Sequence, residues 1–159
     1  MKRILKGLAD SAGASLIEGA IITPLLLLLT FGVVDFASLF YVYLSLENGV
    51  SQATRYGVTG NQMDDPNNPG GLLTRESSII SAMHAATPTL TIPDNAFSFT
   101  HLTPGSSTWA SGPGGPSDIQ KVSVTYTWTP MTPLIKPFFP GGKLVLTVDS
   151  TMKNEGRFQ

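Results

Sequence analysis

The chain has 159 residues, a hydrophobic fraction of 42%, a formal net charge of −1 and no cysteine. A charged fraction of 13% is about half of what an ordinary soluble domain carries, so part of the length is built for something other than an aqueous surface. The near-neutral balance offers no electrostatic footprint for nucleic acid. The missing thiols exclude disulfides, a cysteine nucleophile and thiolate-bound zinc.

The composition averages two unlike parts. Residues 19–34 pass without a charge, and beyond Asp35 the apolar pattern runs on to Leu46. Lys2, Arg3 and Lys6 precede this run, and no further positive charge follows until Arg55. That asymmetry holds the amino terminus in the cytoplasm and exports the remainder. A core helix fits poorly, because a domain of this size cannot cover a helix that is apolar on all sides for so long. A cleaved secretory signal has a shorter apolar core and a small-x-small cutting site, and no A-x-A stands near the place where cutting would be expected. The expectation is a single membrane anchor.

Two acids interrupt the anchor, each costing roughly 3 kcal/mol if placed at the bilayer centre. Glu18 and Asp35 are separated by roughly 26 Å of helix at about 1.5 Å per residue, close to the thickness of a hydrocarbon core. Asp35 is therefore an interfacial residue at the outer end of the span or the partner of a cation on another helix. Glu18 has its own local rationale as an acid near a helix start, three residues after a potential Ser15 cap. Pro24 lacks an amide hydrogen and loosens the helix inside the membrane. A helix from about Ser15 to Tyr56 exceeds the bilayer, and its outer part reads as amphipathic, with Leu46, Val50 and Ala53 among Ser45, Glu47, Asn48, Ser51, Gln52 and Thr54. Phe40, Tyr41 and Tyr43 form an interfacial belt or a packing face.

The segment GASLIEGAIITPLLLLLTFGVVDFASLFYVYLSLENGVSQATRYG resembles the amino terminus of TadE-like minor pilins, pseudopilins of the tight-adherence branch of the type IV pilus superfamily. The resemblance implies that a basic leader, residues 1–13, is removed by a prepilin peptidase after Gly13, so that Ala14 becomes the first mature residue and Glu18 the fifth. Glu18, Pro24 and Asp35 are the candidates for packing and register among related helices. A carboxylate four residues from a new ammonium can pair with a neighbour's amine, offsetting part of the burial cost of both. The implied partners are sibling pseudopilins or pilins, the prepilin peptidase and an inner-membrane assembly platform. The implied setting is a bacterial inner membrane, with a cytoplasmic amino terminus and an exported carboxyl-terminal domain. The closing stretch VSVTYTWTPMTPL with GGKLVLTVDSTMKNEGR also resembles that family's carboxyl end.

Beyond the helix, 11 of the 12 prolines lie after residue 60, as expected of a loop- and strand-rich head spanning residues 60–159 after a helix at 14–59. GVTGNQMDDPNNPGG is a breaker-rich connection. Its Asp64, Asp65, Asn67 and Asn68 supply oxygens, but without EF-hand spacing, and the reading is a solvated loop. A second helix is expected over Leu72–Ala86, and a strand over Ala96–Thr103. Pro104–Pro116 reads as a loop, with Trp109 either packed on the sheet or exposed as a partner contact.

The clearest strand is Lys121–Thr129, with Val122, Val124, Tyr126 and Trp128 on one face and Ser and Thr on the other. Lys143–Asp149 repeats the alternation. Between them Pro130, Pro133, Pro137 and Pro140 enforce an irregular excursion. Its Leu134, Ile135, Phe138 and Phe139 either cap the small core or form a surface for another subunit, which makes Phe138 and Phe139 possible partner contacts.

The fold class is α+β: a long amino-terminal transmembrane and protruding helix on a small antiparallel sheet, with a second short helix. His84 and His101 lack further ligands at metal spacing, and no nucleophile elbow, phosphate loop or dinucleotide fingerprint occurs. The expectation is a minor pilin acting in pilus initiation or at the tip, without catalysis, cofactor or metal. An unprocessed, membrane-anchored binding or adhesion protein is the alternative.

Overall fold

The computed structural model describes residues 2–158, with side chains from Gly13 onward. Lys2, Arg3 and Lys6, in the expected leader, lie outside the residues whose side chains are described. Two α-helices, α1 (Lys2–Gly57) and α2 (Arg75–Ala86), accompany four strands: β1 (Phe97–Leu102), β2 (Ala110–Ser111), β3 (Ile119–Trp128) and β4 (Leu144–Lys153). The strands form one antiparallel sheet in the order β2-β1-β3-β4. The α+β architecture anticipated from periodicity is present. The chain separates into two compact units, and their limits cut across the linear order.

The larger unit holds Phe40–Trp128 together with the chain from Leu144 onward. Within it α1 buries Val42, Leu46, Val50 and Ala53, whose spacing of three and four residues keeps them on one helix face. Ile79 and Met83 of α2, and Val122, Val124, Trp128 and Val148 of the sheet, complete the apolar core. Alternation in β3 is as expected, and it extends back to Gln120, which sits fully buried on the same face as Val122 and Val124. Buried hydroxyls are satisfied locally: Thr54 donates to the Val50 carbonyl at 2.7 Å and Thr87 to the Met83 carbonyl at 2.8 Å. α2 starts three residues later than expected, because Thr74 caps it by accepting from the Ser77 N–H at 3.1 Å. β2 was hidden within the predicted loop, since two residues are too few to show an alternation.

Two glycines set how closely the helices approach. A Cβ on Gly49 would lie 2.5 Å from Thr87 Cγ2 and 2.7 Å from Met83 Sδ, and one on Gly57 would lie 2.6 Å from Gln120 Nε2 and 2.8 Å from Ile79 Cδ1. In an open helix Gly→Ala gains about 1 kcal/mol from propensity. Here the buried neighbours reverse the sign. Gly49→Leu is expected to destabilise the head by about 2 to 3 kcal/mol through overpacking, seen as a lowered near-ultraviolet melting temperature. An unchanged melting temperature would refute the close approach.

The smaller unit holds α1 up to Leu39 together with the connection Thr129–Lys143. The register pairs Trp128 with Leu144, so this connection is the loop between β3 and β4. Sequence reasoning offered its apolar residues a place over the sheet core or against another subunit. They group with the apolar part of α1 rather than with the sheet core.

Candidate functional site

The charge-poor helix is the site on which the functional reading turns. Gly13–Gly57 is long and apolar enough to cross a membrane, and only 11% of its most apolar window is covered by the rest of the protein. Leu16, Ile17, Ile21, Leu25 and Leu29 are all more than 60% exposed. A helix that presents isoleucine and leucine on every side is stable in lipid or against other helices, and costly in water. Its internal polar groups follow the same logic, since the Thr30 hydroxyl donates back to the Leu26 carbonyl at 2.8 Å and leaves no unpaired donor.

Gly13 has open space where a Cβ would stand, and Ala14 and Glu18 are exposed. Glu18 has no ion-pair partner among the described residues. Among the described residues nothing competes with a group on another chain for its carboxylate. Pro24 lies inside α1, where its ring removes one i to i−4 hydrogen bond without ending the helix.

Asp35 differs from Glu18 in every respect. It is 1% exposed, and its Oδ1 accepts from the Met131 N–H at 2.6 Å and the Thr132 N–H at 3.2 Å, while Oδ2 accepts from the Thr132 hydroxyl at 2.5 Å. Neither sequence reading, an interfacial acid or the partner of a cation on another helix, named these groups. Three donors from the chain's own Pro-rich connection surround the carboxylate. Charge-assisted hydrogen bonds of this kind are roughly twice as strong as neutral ones. Below this clasp Pro24, Leu27 and Phe31 face Met131, Thr132, Pro133 and Leu134 across an almost wholly apolar groove of about 610 Å³.

The remaining candidates are spread out. Trp109, just before β2, is 44% exposed, Phe138 is 72% exposed and Phe139 is half-buried. The Asp64–Asn68 loop is an ordered turn, with Asp65 Oδ1 accepting from the Asn67 N–H at 2.8 Å. Among the described residues no three His, Asp or Glu gather as a metal site.

Residues 13–55 match the family of TadE-like proteins. The match begins at the glycine singled out as the end of the leader and contains Glu18, Pro24 and Asp35. It does not extend to the closing strands. No curated protein and no solved structure matches the chain significantly. The TadE-like segment suggests involvement in the tight-adherence pilus system, with membrane association through the one long apolar helix.

Sequence reasoning missed a second polar centre, in the larger unit. Arg75, the first residue of α2, donates through Nε and Nη2 to the Gly57 carbonyl at 3.1 and 2.8 Å, through Nη2 to Gln120 Oε1 at 2.7 Å, and through Nη1 to the Gly114 carbonyl. The Phe158 ring lies 4.4 Å from its guanidinium carbon. Burial lowers the arginine's pKa from its ordinary value, and the nearby Asp118 carboxylate opposes that shift. A signal was available: a cation in the first turn of a helix opposes the macrodipole, so it needs compensation from elsewhere.

Proposed function

We propose that the protein is a minor pilin, or pseudopilin, that takes part in initiating or capping a tight-adherence type IV pilus after a prepilin peptidase removes residues 1–13. The match at residues 13–55 carries this reading. The exposed Glu18 four residues after Ala14, on a helix with an uncovered apolar surface, supports it physically. Cleavage creates an ammonium at Ala14, and Glu18 of one helix pairs with that ammonium on a neighbour. In water such a pair contributes little. In a lipid or helix-lined setting it selects one axial register, as a single buried polar residue does in a coiled coil.

Intact mass of the protein purified from membranes tests the processing. A chain beginning at Ala14, replaced by the full-length precursor in Gly13→Arg, is the expected result. A persistent Met1 start in cells with an active prepilin peptidase would favour the unprocessed binding protein instead. Glu18→Ala is expected to be cleaved normally but to lose most of its co-purification with sibling pilins. Undiminished co-purification would remove Glu18 from the register role.

The division into a leader, a helix at 14–59 and a head at 60–159 belongs to this proposal and describes processing. The sparse chemistry outside the helix supports a role in assembly over one in catalysis.

A further inference from the structure

The connection Thr129–Lys143 is packed against the part of α1 that has no reason to be in water. Its groove partners Pro24, Leu27 and Phe31 all lie within the uncharged stretch 19–34. That stretch is roughly 24 Å long at about 1.5 Å per residue, most of a hydrocarbon core, and Leu27 falls near its middle. Ile135 also reaches down the helix, its Cδ1 lying 4.0 Å from where a Cβ on Gly32 would stand. Side chains that touch these positions share their depth. We infer that the Pro-rich connection 129–143 is itself immersed in the membrane, a wedge folded back along the span, with lipid acyl chains filling the groove between it and α1. This rests on reading α1 as a membrane anchor.

Three independent features fit lipid as the occupant. First, the wedge exposes large apolar side chains: Met131 is 70% exposed, Leu134 42% and Phe138 72%. In water this would be an unshielded apolar patch, whereas in hydrocarbon it carries no penalty. Second, the charge pattern suits the bilayer. The segment contains no acid, and its Lys136 and Lys143 have long stems that can extend toward headgroups.

Third, nine of the fifteen backbone positions in the connection have either no N–H or a paired one, which lowers the chief obstacle to irregular structure in lipid. Pro130, Pro133, Pro137 and Pro140 have no N–H. The Met131 and Thr132 N–H groups go to Asp35. Those of Phe138, Phe139 and Gly142 donate to the carbonyls of Ile135, Lys136 and Phe139 at 3.0, 3.1 and 2.9 Å. The same arrangement resolves Asp35. A carboxylate that would be costly in the span is enclosed by donors that would be costly without it.

The absence of cysteine makes the test direct. Single variants Phe138→Cys, Leu26→Cys and Ser106→Cys, all at exposed positions, would each carry a nitroxide on the full chain in phosphatidylcholine–phosphatidylglycerol vesicles. Collision with apolar oxygen and with a water-soluble nickel chelate is then measured for each label. The expected result is that the Phe138 label follows the Leu26 label, oxygen-accessible and about tenfold less accessible to nickel than the Ser106 label, because water is excluded from hydrocarbon. A lipid-like Leu26 with a water-like Phe138 would overturn the wedge and leave the anchor standing. A water-like Leu26 would overturn the anchor, and the wedge with it. A Phe138 label shielded from both reagents would mean that protein, such as a second copy, covers the segment, which overturns lipid as the occupant.

Discussion

Replacing Arg75 by alanine is expected to lower the stability of the head by about 3 kcal/mol, the largest single effect in that unit, since hydrogen bonds to a charged group contribute about 1.5 to 3 kcal/mol each and do not add fully. The guanidinium joins three parts of the chain: the last carbonyl of α1, the loop carbonyl of Gly114 and the Gln120 amide of β3. The Gly57 carbonyl stands at the carboxyl end of α1, where it also accepts from the Gly60 N–H at 3.2 Å, and a cation there complements the macrodipole. Alanine would leave that carbonyl and Gln120 Oε1 without Arg75. Gln120 is fully buried, and its Nε2 already has no partner among the described residues. The whole amide would then be unpaired. Loss of the contact with Phe158 adds to the cost. For a unit of about 100 residues the change corresponds to a fall in melting temperature on the order of 10 °C or more. Thermal unfolding of the full chain in detergent, followed by near-ultraviolet dichroism, measures it. Arg75→Lys should recover less than half, because one ammonium cannot reproduce a planar fork aimed at three acceptors. A lysine variant as stable as the parent would show that charge alone, not the fork, is what matters.

Arg75 also marks the boundary of what the sequence could reveal. Periodic features were legible: the uncharged run, the Leu46, Val50 and Ala53 face, and the alternation of Val122, Val124 and Trp128 each express a local spacing that repeats. Gly13, Glu18 and Pro24 were singled out through the resemblance to TadE-like pilins, and the family match at residues 13–55 contains them. Asp35 was visible as an anomaly, an acid in an apolar span, whereas Arg75 was passed over, and the partners of both lie far away in the chain. Gly114 and Gln120 are 39 and 45 residues from Arg75, and Thr132 is 97 from Asp35. Single-sequence periodicity carries no information across such separations. The Pro-rich connection was opaque for a different reason. Its composition gives the same apolar signature whether it covers a core, meets a subunit or lies in lipid, and the contact with Asp35 places it on α1.

Replacing Asp35 by leucine is expected to release the connection 129–143 from the helix without unfolding the head. The substitution removes the acceptor of two backbone N–H groups and one hydroxyl at a site that is 1% exposed. Each buried donor left unpaired costs about 1 to 3 kcal/mol. The connection can escape most of that cost by moving away, so the variant loses the docked state in preference to global stability. Hydrogen exchange of peptides covering 129–143 in lipid nanodiscs should then accelerate about 100-fold, equivalent to about 2.7 kcal/mol, while peptides of β3 and β4 keep their protection. Asp35→Asn gives the informative intermediate. Its carbonyl can still accept from the Met131 and Thr132 amides, and the Thr132 hydroxyl can turn to accept from the new amide nitrogen, so geometry survives while the charge is lost. About half of the protection should remain in free-energy terms, because charge-assisted bonds are roughly twice as strong as neutral ones. If leucine and asparagine both left the exchange of 129–143 unchanged, the carboxylate would not be what holds the connection to the helix. If both also slowed export or anchoring, the acid would act before the protein folds, during insertion of the span.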